Sequence, residues 1–208
     1  MSKIAPASER MYGLILAAGQ SARMGQPKQL LIWHGEPLVR HVVHQALAAP
    51  IVGVFVVIGA VAGPVRQALD GLAVTLVENP DYAAGQAVSL ACGLRALPAD
   101  ATAALILLVD QPLITTALLT QITNTYCSVR QTDNPPIAVV PRYNGRRGNP
   151  VVLSRQLFPE LIAYRGDAGP RYIVERYSER IYWFDVGDPA VVMDADTPEE
   201  FRRMQAGA

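Results

Sequence analysis

Residues 14–31 read LILAAGQSARMGQPKQLL, and this stretch guides the interpretation of the whole chain. It starts inside an apolar run, residues 12–17, that is typical of a strand buried in a parallel sheet. The apolar run stops at Gly19. Gly19 and Gly25 permit backbone conformations that a Cβ would forbid, and backbone N–H groups in such a turn can point at an anion. The sequence therefore predicts a strand that ends in an anion-binding turn.

Two cations flank this turn, Arg23 and Lys28. Arginine can bind a phosphate through two parallel hydrogen bonds, whereas lysine acts as a compact point charge. We interpret the loop as one that wraps a polyphosphate at the carboxyl end of the first strand. The alternative is a plain glycine-rich turn between a strand and a helix, with both cations in solvent.

The spacing excludes two common phosphate loops. A Walker A loop requires Gly-Lys followed by Ser or Thr, but here Gly25 is followed by Gln26, Pro27 and Lys28. A dinucleotide-binding turn requires a second glycine two residues after the first, and Gly19 has none there. If the loop holds phosphate, it does so by another pattern.

Composition indicates one soluble globular domain. The chain has 208 residues, of which 50% are hydrophobic and 17% charged, and its formal net charge is zero. This balance gives no argument for a nucleic acid or a membrane as partner. The first residues, MSKIAPASER, lack the apolar core of a signal peptide, so we expect a cytoplasmic protein with a flexible tail over residues 1–10. Cys92 and Cys127 lack metal-type spacing and are interpreted as buried thiols.

Strand-like and helical patterns alternate along the chain, which predicts an α/β fold with a mostly parallel sheet and helices on both faces. The short segment 131–136 is interpreted as a divider, within one domain, between a nucleotide-binding half, about 12–130, and an acceptor-binding half, about 137–205. Predicted strands cover 13–17, 52–58, 74–77, 104–109, 137–140 and 150–153, and predicted helices cover 38–48, 61–69, 86–97, 116–129, 155–162, 170–177 and 198–204.

Ligands of open α/β sheets lie beyond the carboxyl ends of the strands, so the polar residues that follow each strand are candidates. After the strand at 74–77, Asn79 has the donors and the acceptor that suit a base edge. Gly85 allows close backbone approach, and Ser89 lies near the start of the next helix. The alternative is a turn at Asn79 and a serine that only decorates the helix.

Carboxylates occur at two such places. Asp110 follows the strand at 104–109, and Asp194 and Asp196 alternate along an extended segment just before the last helix. Mg²⁺ prefers carboxylate oxygens and shares the rest of its shell with water and phosphates. Asp110 could instead serve in a turn or cap, and Asp196 or Thr197 could cap the last helix.

Two further loops are candidates for contacting an acceptor. Residues 141–150 form a basic, glycine-rich, hairpin-like loop, and 165–169 form a shorter loop that contains Asp167. Either loop could be a solvated turn, and Asp167 could be a helix cap. The histidines in and beside the predicted helix 38–48 are interpreted as structural or solvent-facing; they are His34, His41 and His44.

The motif from Leu16 to Leu31 resembles the signature of the nucleotidyltransferase superfamily, and most of all that of the molybdenum cofactor cytidylyltransferases, which have a MobA-like NTP transferase domain. Later segments resemble that family's motifs in the same order. These are the Asn79, Gly85 and Ser89 spacing, Asp110-Gln111-Pro112, Gly148-Asn149-Pro150, residues 166–169, and Asp194 to Glu199. The resemblance implies a three-layer Rossmann-like nucleotidyltransferase fold with a mostly parallel central sheet.

The resemblance also implies roles for individual residues. Arg23 and Lys28 would bind the β- and γ-phosphates and the leaving pyrophosphate, and with Asp110 they form the catalytic set. Asp110 and Asp196, with Asp194 as the less favoured alternative, would hold Mg²⁺. The base and ribose would be bound by Leu16, Ala17, Ala18, Gly19, Asn79, Gly85 and Ser89, and the acceptor by Arg142, Arg146, Arg147, Asn149 and Asp167.

The implied reaction transfers CMP from CTP to the phosphate of the molybdenum cofactor, and a molybdoenzyme could receive the product. CTP is favoured because the methyl group of Ala18, where the guanylyltransferase branch typically has glycine, would exclude a larger base by about 1–3 kcal/mol. Other interpretations stay open at this point. These are guanylyl transfer, another acceptor such as a sugar 1-phosphate or methylerythritol phosphate, and a non-catalytic chaperone that delivers the cofactor.

Overall fold

The computed structural model describes residues 9–21, 24–166 and 171–207. The strands are β1 (Met11–Ala17), β2 (Ile32–Trp33), β3 (Glu36–Pro37), β4 (Gly53–Ile58), β5 (Val74–Glu78), β6 (Ala103–Leu108), β7 (Ala138–Tyr143), β8 (Arg146–Arg147), β9 (Val151–Ser154) and β10 (Ile181–Asp185). The α-helices are α1 (Leu38–Leu47), α2 (Ala62–Ala68), α3 (Gln86–Ala96), α4 (Thr116–Val129), α5 (Phe158–Ala163), α6 (Arg171–Arg176) and α7 (Pro198–Gly207).

β1 lies at the centre of the main sheet, whose strand order is β10-β7-β9-β6-β1-β4-β5, with β8 attached to β7. β1 pairs in parallel with both β4 and β6. β9 is antiparallel to its two neighbours, β6 and β7. The mostly parallel sheet is therefore confirmed, and it continues without a break through both predicted halves.

The central strand is apolar along its whole length because helices cover both faces of the sheet. Ile15 and Ala17 belong to the core layer that also contains buried residues of α1, α2, α4 and α7. Leu14 and Leu16 belong to the opposite layer, with residues of α3, α5 and α6. Successive side chains of β1 thus point to opposite faces of the sheet, and each face is covered by helices, which gives the predicted three layers.

The acceptor-side strands differ most from the prediction. The sequence pattern did not indicate β10, which pairs in parallel with β7 at one edge of the sheet. The hairpin-like loop is a real hairpin between β7 and β8, and its turn has positive φ angles of 49° at Asn144 and 75° at Gly145. Two successive residues with positive φ are the geometry that matches the twist of the flanking strands.

The first described residues of the chain contact the folded domain, and both cysteines are partly buried. Residues 1–8 of the predicted tail lie outside the described residues, but Glu9 contacts Arg130 and Thr102, and Arg10 pairs with Asp100. These contacts do not fit a flexible segment that reaches residue 10. Cys92 and Cys127 are free thiols that are partly buried. Within the described ranges, no helix is long and apolar enough to cross a membrane.

The packing of α3 on the sheet leads to a prediction about Gly93. A Cβ at Gly93 would lie 2.5 Å from Cδ1 of Leu14 and 2.8 Å from Cγ2 of Val57, and both of these side chains are fully buried. We expect Gly93→Ala to destabilise the protein by about 1–3 kcal/mol, because a filled core has no room for another methyl group.

Gly187, in the exposed loop after β10, is the control, since a Cβ there would meet nothing within 4 Å apart from its chain neighbours. Gly187→Ala should change the free energy of unfolding by less than about 0.5 kcal/mol, as is usual for a surface substitution. Urea unfolding of both variants checks the prediction. Equal effects of the two substitutions would contradict the close packing at Gly93.

Candidate active site

A cavity of about 320 Å³ opens at the carboxyl ends of β1 and β6, beside the start of α3. This is the edge of the sheet at which parallel α/β proteins bind ligands. The cavity is partly polar, and it is large enough for a part of a nucleotide. Its lining residues are Leu16, Ala18, Gly19, Gln20, Ser21, Lys28, Gln29, Tyr82, Ala83, Gly85, Gln86, Ser89, Leu108, Val109 and Asp110.

The loop after β1 is held in shape by Gln29, whose side chain is buried. Its Nε2 donates to the carbonyl oxygens of Ala17 at 2.9 Å and Gly19 at 2.7 Å. The carbonyl of Ala18 accepts from the N–H of Ala60 at 3.2 Å. Three successive carbonyls are therefore bonded within the protein. The N–H groups of Met24 and Lys28 donate to Ser21, so the N–H groups of the turn around Gly19 are the backbone atoms suited to an anion.

Lys28 connects the loop to two carboxylates. Its Nζ lies 3.2 Å from Oδ2 of Asp110 and 2.5 Å from Oδ1 of Asp196. The lysine side chain is 11% exposed, that of Asp110 23% and that of Asp196 45%. Charges from three distant parts of the sequence thus meet at the place where Lys28 and Asp110 line the cavity.

The ammonium of Lys28 stays charged in this setting. Burial lowers its pKa, but the carboxylates of Asp110 and Asp196 raise it by more, so the pKa lies above its ordinary value. A lysine held in the charged form is suited to bind an anionic group, provided that the anion competes with the two carboxylates.

The segment before α7 presents Asp196 because another residue caps the helix. The Thr197 N–H donates to Oε2 of Glu200 at 2.9 Å, and the Glu200 N–H donates to Oγ1 of Thr197 at 3.2 Å. This reciprocal pair is a capping box. Of the two capping candidates, Thr197 takes that role, and the side chain of Asp196 faces Lys28 instead.

Asp194 lies deeper and has a different partner. Its Oδ1 accepts from Nε2 of Gln111 at 2.8 Å. Burial raises the pKa of Asp194, and the negative charge of Asp110 raises it further. The neighbouring Ala195 N–H donates to the carbonyl of Asp110 at 2.8 Å, so the two carboxylate segments are tied to each other.

The geometry fits a divalent cation at Asp110 and Asp196. Oδ1 of Asp110 is buried and has no hydrogen-bond partner, which is unusual for a carboxylate oxygen. In the part of the chain that the structure describes, no group of three or more His, Cys, Asp or Glu residues is arranged to hold a metal. One or two carboxylates are enough for Mg²⁺ when substrate phosphates complete the shell.

The structure brings together Asn79, Gly85 and Ser89, but in different roles. Ser89 and Gly85 line the cavity. Asn79 is buried behind them, where its Nδ2 donates to Oγ of Ser89 at 3.0 Å and its Oδ1 accepts from the Asp81 N–H. In this arrangement Asn79 orients Ser89 and is not itself among the cavity-lining residues.

The candidate acceptor residues that the structure describes lie on and beside the β7–β8 hairpin. Arg142 makes a bidentate ion pair with Asp185 of β10: its Nε lies 2.6 Å from Oδ1 and its Nη2 lies 2.8 Å from Oδ2. Its guanidinium also lies over the ring of Trp183. Arg146 is exposed in β8. The Asn149 N–H donates to the carbonyl of Val191 at 2.8 Å, which joins this loop to the Asp194 segment.

Two predicted site residues are not described by the structure, and three residues that help to form the site were not predicted. Arg23 and Asp167 lie outside the described residues. Three residues of the site were not predicted from the sequence: Gln29 and Gln111 hold its segments through hydrogen bonds, and Tyr82 lines the cavity. In the sequence, these residues were marked only by their position inside the motifs at 16–31, 79–89 and 110–112.

Comparison with known proteins identifies the family. A family model described as the MobA-like NTP transferase domain matches residues 13–181. The chain belongs to this family. The predicted family, its Rossmann-like fold and the predicted class of enzyme, a nucleotidyltransferase, are confirmed.

Curated relatives with similar sequences carry two different names. The chain is 38% identical over 114 residues to the molybdenum cofactor guanylyltransferase of Xanthomonas euvesicatoria pv. vesicatoria, spanning about half of each chain. It is 26% identical over 190 residues to the molybdenum cofactor cytidylyltransferase of Escherichia coli, covering 90% of this chain and 92% of the relative.

Solved structures confirm the architecture of this MobA-like domain. Rv0371c from Mycobacterium tuberculosis H37Rv superposes with a TM-score of 0.82 at 28% identity, over 96% of this chain and 100% of that one. A second structure of Rv0371c, in complex with manganese, gives a TM-score of 0.77 at 29% identity over the same shares of the two chains.

The bracing of the loop predicts a strong effect of Gln29→Met. Methionine fills a similar volume but cannot donate, so the carbonyls of Ala17 and Gly19 would lose a partner. We expect a loss of about 2–3 kcal/mol in the free energy of unfolding, because unsatisfied buried carbonyls are costly. Urea unfolding provides the measurement. Gln26→Met, on an exposed glutamine of the same loop, is the control, and an equal effect there would contradict the bracing role.

Proposed function

We propose that this protein is a Mg²⁺-dependent cytidylyltransferase that transfers CMP from CTP to the phosphate of the molybdenum cofactor. The observation that carries the proposal is the contact of Lys28 with both Asp110 and Asp196, where Lys28 and Asp110 line the cavity after β1. This arrangement provides one cation for phosphates and two carboxylates for a divalent metal within a site large enough for part of a nucleotide.

The reaction forms one phosphorus–oxygen bond and breaks another. An oxygen of the acceptor phosphate attacks the α-phosphorus of CTP, and the bond from that phosphorus to the bridging oxygen breaks, so pyrophosphate leaves with the bonding electrons. The attacking phosphate is already ionised, so no general base is needed. Negative charge grows on the phosphate oxygens, and catalysis rests on positioning and on stabilisation of that charge.

Asp110 and Asp196 would hold Mg²⁺, which when bound neutralises phosphate charge and orients the triphosphate. The unpartnered Oδ1 of Asp110 supports this assignment, and so does the manganese in the related Rv0371c complex. Asp196 is preferred to Asp194, because Asp194 is already bonded to Gln111 and burial raises its pKa.

Lys28 would bind the β- and γ-phosphates together with Arg23. Its present partners are the carboxylates of Asp110 and Asp196. When these carboxylates bind the metal, the ammonium would exchange them for phosphate oxygens. Loop N–H groups after β1 would contact the same phosphates, and Gly85 and Ser89 would lie against the base and ribose.

Guanylyl transfer is the second candidate, favoured by the guanylyltransferase name of the Xanthomonas relative. Against it stands Ala18, which lines the cavity and whose methyl group is fixed directly to the backbone. If this methyl group excludes guanine, Ala18→Gly should raise GTP use relative to CTP by about tenfold, within the range for one methyl group.

The molybdenum cofactor is proposed as the acceptor because both relatives are named as molybdenum cofactor nucleotidyltransferases. Arg142, Arg146, Asn149 and Asp167 are its candidate contacts. Arg142 could reach an acceptor only with the face not engaged by Asp185 and Trp183. Delivery of the product to a molybdoenzyme in the cytoplasm completes the proposal.

Pyrophosphate release tests the substrates. Each of the four NTPs would be incubated with Mg²⁺ and the protein, with and without molybdenum-loaded molybdopterin. We expect release from CTP that requires the acceptor. Release from GTP instead would overturn the base assignment. If no NTP reacts with this acceptor but one reacts with a sugar 1-phosphate or methylerythritol phosphate, the acceptor assignment is wrong.

Asp110→Asn separates an enzyme from a delivery chaperone. The substitution keeps the shape but removes the charge that would hold the metal, so turnover should fall by about 10²–10³-fold, the scale for loss of one charge-stabilising group. Asp133→Asn, on an exposed loop far from the cavity, is the matched control and should retain full activity. A chaperone would deliver cofactor equally well with either variant.

A further inference from the structure

Helix α1 contacts the segment that carries Asp110 at two points. Nε2 of His41 lies 3.0 Å from the carbonyl oxygen of Pro112. One turn later, Oε1 of Gln45 accepts from the Thr116 N–H at 2.8 Å and from the Thr116 hydroxyl at 2.8 Å. Residues four apart on a helix share a face, so α1 holds both ends of the segment between Pro112 and Thr116.

The chemistry of the His41 contact is fixed by its partner. A carbonyl oxygen can only accept, so the hydrogen of the ring must be on Nε2. Burial lowers the pKa of His41 below its usual value, which favours the neutral ring with that single proton. The ring also lies against the buried Trp33, with centroids 6.1 Å apart, so its orientation is restricted.

The turn at Asp110 is thereby held from two sides. On one side, the Ala195 N–H donates to the carbonyl of Asp110, and Gln111 donates to Asp194. On the other side, His41 donates to Pro112, two residues after Asp110. Trp33 joins the two sides, because its ring also packs on Phe201 of α7, the helix that follows Asp196, at 5.7 Å between centroids.

We propose that His41 is a positioning residue for Asp110 and that it acts through the carbonyl of Pro112. The proposal rests on the metal-binding role of Asp110 in the proposed function. Outer partners of a metal-binding carboxylate fix its orientation, and their loss typically costs about 10–100-fold in metal affinity or activity. The histidine does not itself touch the metal or the substrates.

Three substitutions separate the hydrogen bond from simple packing. His41→Leu keeps the bulk but has no donor. His41→Gln places an amide N–H at the reach of Nε2, whereas His41→Asn is one methylene shorter and cannot reach Pro112. If the leucine variant does not fold, the comparison of glutamine with asparagine still decides the question.

The first readout is Mn²⁺ binding without nucleotide, measured from the free-Mn²⁺ signal in electron paramagnetic resonance. We expect His41→Leu and His41→Asn to weaken Mn²⁺ binding by about tenfold, and His41→Gln to stay within about threefold of the wild type. The second readout is steady-state kinetics with CTP and the acceptor, in which kcat should fall for the leucine and asparagine variants while KM for CTP stays within about twofold.

His44→Gln is the matched control, since His44 lies on the same helix but contacts Glu36, at 3.1 Å, and not the turn. It should leave both readouts unchanged. Asp110→Asn, which should abolish Mn²⁺ binding, identifies the site that is being measured.

The proposal is overturned if His41→Leu binds Mn²⁺ as the wild type does, or if the glutamine variant is as weak as the asparagine variant. A wild-type protein that binds no Mn²⁺ would overturn it together with the metal site. A wild-type protein that binds Mn²⁺ but releases no pyrophosphate from any NTP would overturn the proposed function, while the Mn²⁺ affinities would still decide the role of His41.

Discussion

The attraction between one ammonium and two carboxylates is the interaction on which the arrangement of the site depends. Lys28, Asp110 and Asp196 belong to three segments that are far apart in the sequence, and the ammonium meets both carboxylates only when all three segments are in place. Burying any one of these charges alone would be costly, since an uncompensated charge loses its hydration. The loop after β1, the turn after β6 and the segment before α7 are therefore coupled energetically.

The surrounding structure supports these charges with neutral hydrogen bonds. Gln29 shapes the loop that carries Lys28, Gln111 binds the segment that carries Asp196, and His41 holds the turn that carries Asp110. All three are side chains that donate without carrying a full charge at neutral pH. They fix geometry without altering the charge balance at the place where phosphates and metal are proposed to bind.

The fold was predictable from the sequence because hydrophobic periodicity reports on burial directly. The apolar β1 and the helices that follow it left little choice of architecture. The strand β10 was missed because it lies at the edge of the sheet, where half-exposed residues such as Tyr182 and Trp183 weaken the pattern. Missing β10 also meant missing the partner of Arg142, since Asp185 lies in that strand.

The sequence pattern indicated candidate residues for the site, but it did not indicate which of them contact one another. Sequence order indicated which acids follow a strand, but it could not say which of Asp196 and Thr197 caps α7, because both residue types favour that position. Nor could it distinguish Asn79 as a residue that touches a ligand from one that orients Ser89. Those distinctions depend on contacts between residues far apart in the chain, and only the folded structure supplies them.

The antiparallel strand β9 has a mechanical consequence. It is hydrogen-bonded to β6 of the nucleotide side and to β7 of the acceptor side at once. The two proposed substrate regions therefore share one continuous hydrogen-bonded ladder, with no linker about which one region could swing toward the other. If phosphates bind in both proposed regions, any change in the distance between them has to come from loops and side chains at the edge of the sheet, such as the hairpin at Asn144 or the ammonium of Lys28.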